Sequence, residues 1–272
     1  MTAGKYTTLG TTLGAMADAE IAALNALIVS AGVSDEPKAP GSGVIFDDDF
    51  TGYKNTTELL TFVQAGKGYL HMNVENGVTL DPTGGIGNTP ACRIDWKPKA
   101  SATPCADDSH LIERVFPATT ALCIAWTGRY SPAFVWDWIT LNQSCKGNAK
   151  KMFLLWAVTG SRFDFICENH RIGIGSDNDH PLFPQLAPEV TPEMIGDGNW
   201  HRFTVRVQQS STPTALDGHI EGWIDGVKKW DIANWPSQSS GGYNDWKMPA
   251  TFNTGSPVAQ SEWIDHLTLW RP

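Results

Sequence analysis

Beyond residue 44 the hydrophobic and polar positions of the chain alternate with a period of two. In "HRFTVRVQ", Phe203, Val205 and Val207 fall on one side and Arg202, Thr204, Arg206 and Gln208 on the other, which predicts a half-buried strand. "ALCIAWTG", "KKMFLLWAV", "SRFDFICE", "HIEGWIDG" and "WIDHLTLW" are further strand-length runs rich in β-branched and aromatic residues. Asp225-Gly226 predicts a two-residue turn that joins two of these strands as a hairpin. Prolines and glycines punctuate the rest, and no second long helical pattern follows. Many short strands joined by turn chemistry predict a sandwich or barrel rather than a βαβ fold.

The first 43 residues have a different character: they contain no Trp and are rich in Ala, Thr and Gly. Ile21, Leu24 and Ile28 recur at helical spacing with Leu27 beside them, and Gly32 supplies a stop, so one amphipathic helix is expected from about Asp18 to Ala31. "DEPKAPGSG" then reads as a linker. This divides the chain into an N-terminal arm, 1–43, and a β domain, 44–272. An isolated helix of this length is marginal in water, so its apolar stripe needs a partner, either its own domain or another subunit. Ile21, Leu24, Leu27 and Ile28 are the candidate assembly residues, and an oligomer is expected.

Composition narrows the partners. The formal charge is −9, and the chain lacks the clustered Lys and Arg that phosphate backbones and anionic membranes require. No segment approaches the roughly 20 apolar residues of a membrane helix. Asp18 and Glu20 interrupt the early apolar run, so no signal peptide is expected and synthesis is assigned to a cytoplasm. The five cysteines cannot all pair and none form a CxxC. Cys123 and Cys167 lie in strand-like runs as small buried hydrophobes, while Cys92 and Cys105 are a candidate bridge. Twelve tryptophans stand out, since flat rings suit sugar faces and interfaces as well as cores.

Three stretches carry a family resemblance. "VIFDDDFTG", then "DGNWHRFTVRVQ" followed by "DGHIEGWIDGVKKW", and finally "SEWIDHLTLWRP" resemble the first strand, the paired strand–turn–strand unit and the last strand of concanavalin A-like lectin/glucanase jelly rolls. The resemblance spans roughly Val44 to Pro272 and implies an all-β, two-sheet jelly-roll sandwich, here with a short N-terminal α-helical arm. It also implies that the last strand returns beside the first and that ligands lie across the concave sheet. Activity is not implied, since this fold hosts lectins, hydrolases, lyases and inert structural modules. Strand parity places Ile220, Gly222 and Ile224 toward the core, with His219, Glu221 and Trp223 facing the other way. Trp136 and Trp138 share a side, and Lys151, Trp156, Arg162 and Asp164 are further polar or aromatic candidates.

Chemistry is then weighed by residue type. A glycoside hydrolase needs two carboxylates flanking the scissile bond, and the E-x-D-x-x-E or E-x-D-x-E strand of glucanases is absent. A polysaccharide lyase needs a base near the sugar C5 and a cation or amide to neutralise the uronate carboxylate. His219 is the candidate base, with Glu221 beside it, Arg162 or Lys151 as neutraliser and Tyr130 also of suitable type. The Q-I-H and R-T-E-L motifs of jelly-roll lyases are absent, "HLIERVF" being a distant echo. Trp136, Trp138, Trp223, Trp235, Tyr243 and Trp246 are the candidate glycan-binding aromatics. Asp265 in "WIDHL" matches the last-strand Asp that helps hold a structural calcium in glucanases of this fold, so the resemblance makes it a candidate ligand, with Asp49 in "DDDF" expected nearby; no other cofactor is expected, and "SDNDH" is read as a solvated turn. The expectation drawn from all of this is a non-enzymatic, phage-type virion protein, a capsid decoration or fibre-associated module. Its arm would hold other virion subunits and its sandwich would meet surface glycans. The alternative is a lyase or hydrolase acting on an acidic polysaccharide.

Overall fold

The computed structural model describes residues 35–39, 43–61, 71–72, 77–98, 108–109, 112–136, 150–160, 162–168, 171–176, 185–186, 190–237, 239–248, 251–252, 256 and 258–272. They form seventeen strands and one short α-helix, α1 (Thr56–Thr61). The strands are β1 (Val44–Asp48), β2 (His71–Met72), β3 (Val78–Asp81), β4 (Ala91–Trp96), β5 (Asp108–Ser109), β6 (Ile112–Thr119), β7 (Ala121–Tyr130), β8 (Lys150–Ala157) and β9 (Arg162–Glu168). They continue with β10 (Arg171–Ser176), β11 (Gln185–Leu186), β12 (Trp200–Gln208), β13 (Gly218–Ile224), β14 (Val227–Trp235), β15 (Tyr243–Met248), β16 (Thr251–Phe252) and β17 (Gln260–Trp270). Two antiparallel sheets result. The first has the order β14-β13-β12-β7-β17-β4-β3, with β1 added on β17; the second has β11-β10-β9-β8-β15-β6-β2, with β16 bridging β5 and β8. No helix among the described residues is long and apolar enough to cross a membrane.

The alternation seen in the sequence sets the layers. Phe203, Val205 and Val207 of β12 and Ile220 and Ile224 of β13 are buried between the sheets. The last strand does return beside the first, with Val44 opposite Trp270 and Asp48 opposite Leu267. At the centre Trp126 stacks on Phe203 (4.8 Å between ring centres) and meets Phe153 and Phe165 of the opposite sheet edge-on at 5.7 and 5.8 Å. That edge-to-face geometry suits the ring quadrupoles. Trp230 lies over Gly222, where any Cβ would come within 2.6 Å of the indole, so the glycine makes room for the ring. The hairpin turn forms as expected: Asp225 (φ 51) and Gly226 (φ 76) both take the left-handed conformation of a tight hairpin turn.

One charged pair joins the two sheets from inside. Lys150 of β8 places Nζ 3.1 Å from Glu262 Oε1 of β17, and both side chains are almost fully enclosed. Trp96 Nε1 donates to the same carboxylate oxygen at 2.8 Å. The ammonium also lies over the rings of Trp96 (4.5 Å) and Phe252 (5.5 Å).

The described part of the linker lies on the outer side of the first sheet. Asp35 Oδ1 accepts from Trp223 Nε1 at 2.7 Å, and Glu36, itself buried, accepts from Arg202 Nε at 2.8 Å and from Thr204 Oγ1. Cys92 and Cys123 are buried and carry free thiols, so Cys92 is not bridged; Cys105, its expected partner, lies outside the described residues. Burial raises the thiol pKa of Cys92 and of Cys123, which keeps both unreactive.

A histidine clamp holds the hairpin turn. His201 Nδ1 is 2.7 Å from Asp225 Oδ2 and its Nε2 is 3.1 Å from Asp197 Oδ1. Burial works to lower the His201 pKa, but hydrogen bonds and charge from Asp225, then Asp197, outweigh it and leave it raised. A folded pKa above the unfolded value of about 6.5 gives stability that is complete below that pH and lost as pH rises through the folded value. The thermal midpoint is therefore expected to fall as pH rises across that window, and the fall to be flattened in His201→Gln, as melting curves across pH would read. An equally steep fall in the variant would remove the clamp from the account.

Candidate functional site

The outer face of the second sheet gathers its polar side chains in two rows. Strands β6, β15, β8 and β9 are neighbours in that order. Register aligns Val115, Asp245, Trp156 and Arg162 in one row and Glu113, Lys247, Leu154 and Asp164 in the next. Residues directly opposite across an antiparallel pair project to the same side, so these eight form a continuous patch. Trp156 sits at its middle, half-buried, between two cations. The Arg162 guanidinium carbon is 5.1 Å and Lys247 Nζ 6.0 Å from its ring centre.

Each cation is held by a carboxylate. Arg162 donates to both oxygens of Asp164, Nε to Oδ1 at 2.6 Å and Nη2 to Oδ2 at 3.1 Å, the two-pronged geometry that fixes a guanidinium plane. Lys151 Nζ lies 3.4 Å from Asp164 Oδ2. Lys247 Nζ lies between Glu113 Oε1 at 2.9 Å and Asp245 Oδ2 at 3.5 Å. Burial pushes the Asp245 carboxyl up to about 6; Lys247 pulls the other way and Glu113 adds to the rise. Burial likewise opposes charge on Lys247, but the Glu113 hydrogen bond and both carboxylate charges outweigh it and raise its pKa. The patch thus offers an aromatic platform, two flanking cations and a carboxyl pushed up to about 6.

The outer face of the first sheet carries a different group. His219 Nε2 is 2.7 Å from Asp231 Oδ1, and Lys228 Nζ reaches Glu221 Oε1 at 2.9 Å and Asp231 Oδ2 at 3.6 Å. His219, Glu221 and Asp231 bring ligand-type atoms within 4.8 Å of one another. The Lys228 ammonium supplies the positive charge among them, and it also pairs with Asp35 and lies 5.1 Å from the Trp223 ring centre.

These placements revise several expectations. His219, Glu221 and Trp223 do share a side, but it belongs to the first sheet, whereas Arg162 and Lys151 lie on the second. The expected base and neutralisers are therefore not brought together. Tyr130 is buried against Phe134 and Trp136, and burial raises its pKa well above the ordinary value, so it presents no phenolate. Of the aromatics expected at a contact surface, Trp136, Trp223, Trp235, Tyr243 and Trp246 are all buried. The stretch "GVKKWDIANWPSQSSGGYNDW", whose composition reads as a polar loop, instead forms β14 and β15, and Trp235, Tyr243 and Trp246 fill their inward positions; Trp235, for example, meets Phe163 edge-on at 5.7 Å. Trp138 and the assembly residues Ile21, Leu24, Leu27 and Ile28 lie outside the described residues.

For calcium, Asp49 Oδ1 is engaged by Thr51 through N (3.0 Å) and Oγ1 (2.7 Å), and Asp265 Oδ1 accepts from Thr89 Oγ1 at 3.2 Å. Burial raises the Asp265 pKa. Among the described residues no third His, Cys, Asp or Glu ligand atom joins these two.

Sequence reasoning missed Asp245, Glu113 and Lys247. The signal available was the parity of "YNDWKM", which sets Asp245 and Lys247 on one side of β15 and Trp246 on the other.

No family model matches the sequence, and no curated protein matches it. Solved structures do share its fold. The endo-β-1,4-glucuronan lyase of the fungus Trichoderma reesei superposes with a TM-score of 0.55 at 12% identity, over 75% of this chain and 92% of that one. A mutant of alginate lyase Aly36B, solved with an alginate trisaccharide, gives 0.57 at 14% identity over 85% and 99%. Alginate lyase vAL-1 from Chlorella virus gives 0.53 at 13% over 80% and 99%. The described residues thus form an all-β, two-sheet jelly-roll sandwich, the fold they share with these lyases.

Proposed function

We propose that the protein acts on an acidic polysaccharide at the outer face of the second sheet, as a polysaccharide lyase. The observation that carries this is Trp156, half-buried and flanked by Arg162 and Lys247 on adjoining strands. A pyranose ring stacked on the indole would place its carboxylate within reach of either cation. In lyase chemistry a base removes the C5 proton, the C4–C5 double bond forms, and the C4–O bond breaks with its electron pair going to the departing oxygen, which takes up a proton. Neutralising the uronate carboxylate makes the C5 proton acidic enough to remove. The fold's likeness to alginate and glucuronan lyases supports this reading over the non-enzymatic virion module.

The test is incubation with polyglucuronate and with alginate while ultraviolet absorbance from unsaturated ends is followed. Absorbance is expected to grow with the wild type and to be lost with Arg162→Ala. Reducing ends appearing without absorbance would mean hydrolysis, and no product from either polymer would remove the lyase assignment.

A further inference from the structure

We propose that Asp245 is the proton acceptor of this face, with Glu113 and Lys247 as the groups that set its protonation. The proposal rests on the lyase reading above and names the base it left open. Position argues first. Asp245 lies directly across from Trp156 in register, on the opposite side of that indole from Arg162. A sugar stacked on Trp156 with its carboxylate on Lys247, whose Nζ is 3.5 Å from Asp245 Oδ2, would bring C5, one bond from that carboxylate, toward Asp245 and leave Arg162 to hold the ring's other edge. His219 cannot serve, because it projects from the other sheet.

The surroundings argue second. Glu113 and Asp245 flank one ammonium, at 2.9 and 3.5 Å, so two carboxyls share a single counter-charge. Two carboxyls in one site tend to titrate apart, one of them upward, and the raised partner here is Asp245, near the pH where a general base works best. The other charged groups on this side are Lys247 on its own strand, Glu113 on β6, Lys151 of β8, and Arg162 with Asp164 on β9, beyond the uncharged Trp156 and Leu154 of β8. His71 of β2 is in register with Glu113. In the step, Asp245 Oδ takes the C5 proton, the C5–H electron pair forms the C4–C5 double bond and the C4–O pair leaves on the departing oxygen; that oxygen takes a proton from solvent and the Asp245 carboxylic acid returns one to solvent, so no oxidant or net water is consumed.

The experiment measures binding and turnover of oligoglucuronate for wild type, Asp245→Asn and Glu113→Gln across pH. Asp245→Asn is expected to bind within a few-fold of wild type while turnover falls about a hundredfold or more. In the wild type the rate should rise as Asp245 deprotonates, and in Glu113→Gln this rise should move to lower pH, because a like charge has been removed. A purely structural role would not move that limb. Unchanged turnover in Asp245→Asn overturns the assignment and leaves the lyase reading standing. Wild-type binding without turnover at any pH overturns the assignment and the lyase step but not the binding face. Absence of both binding and turnover overturns the face itself.

Discussion

Glu262→Ala is expected to lower the unfolding free energy by about 3–5 kcal/mol, which is a large share of what holds a domain of this kind folded. The reason is the company Glu262 keeps. Its carboxylate neutralises Lys150, an ammonium with no exposure at all, and it accepts the Trp96 indole proton. Removing it takes the countercharge from an ammonium enclosed between two sheets, and the cost of breaking a buried ion pair on one side exceeds the worth of the pair that was lost. The double replacement Lys150→Met with Glu262→Leu removes both charges and should recover most of the loss, because apolar groups of similar volume need no partner there. Denaturant unfolding of the single and double variants checks both halves. A single variant within about 1 kcal/mol of wild type, the range of an exposed pair, would contradict the enclosed placement.

The largest effect on ligand binding is expected from Trp156→Ala. Indole and guanidinium groups dominate contact surfaces, and truncating such a group typically costs about 2 kcal/mol or more, about thirtyfold in Kd. Trp156 has both properties that make such a residue count: its ring is partly open, and charged neighbours hold the groups on either side in fixed positions. The Arg162 plane is pinned by two hydrogen bonds to Asp164, and Lys247 is pinned between Glu113 and Asp245. Little side-chain freedom is left to lose when a uronate arrives. The ring itself fills no part of the inter-sheet core, so the variant should fold.

How far the sequence revealed this depends on whether the information is local. The period-two alternation of residues 201–208 and the Asp225-Gly226 turn are written within a few residues, and both formed as expected. So did the return of the last strand beside the first, which rested on the resemblance of "VIFDDDFTG" and "SEWIDHLTLWRP" to jelly-roll strands. The ligand face is not local. β15 inserts between β6 and β8, so Glu113, Trp156, Arg162 and Asp245 meet only through pairings far apart in sequence. Gly241 and Gly242, with φ of 80 and 87, end just before β15 and gave the segment the look of a loop. Tyr243 and Trp246 were accordingly expected at a surface. In the fold they are the inward positions of a bulged strand, and Asp245 beside Trp246 faces out. His219 and Arg162 each project outward as parity required, but parity within a strand says nothing about which sheet the strand joins.

The most direct measurement is calorimetric titration of oligoglucuronate into the wild type, Trp156→Ala and His219→Ala. Saturable binding to the wild type, weakened about thirtyfold by the first substitution and untouched by the second, is the result this account predicts. Affinity that survives loss of the indole, or that disappears when the histidine of the other sheet is removed, would contradict it.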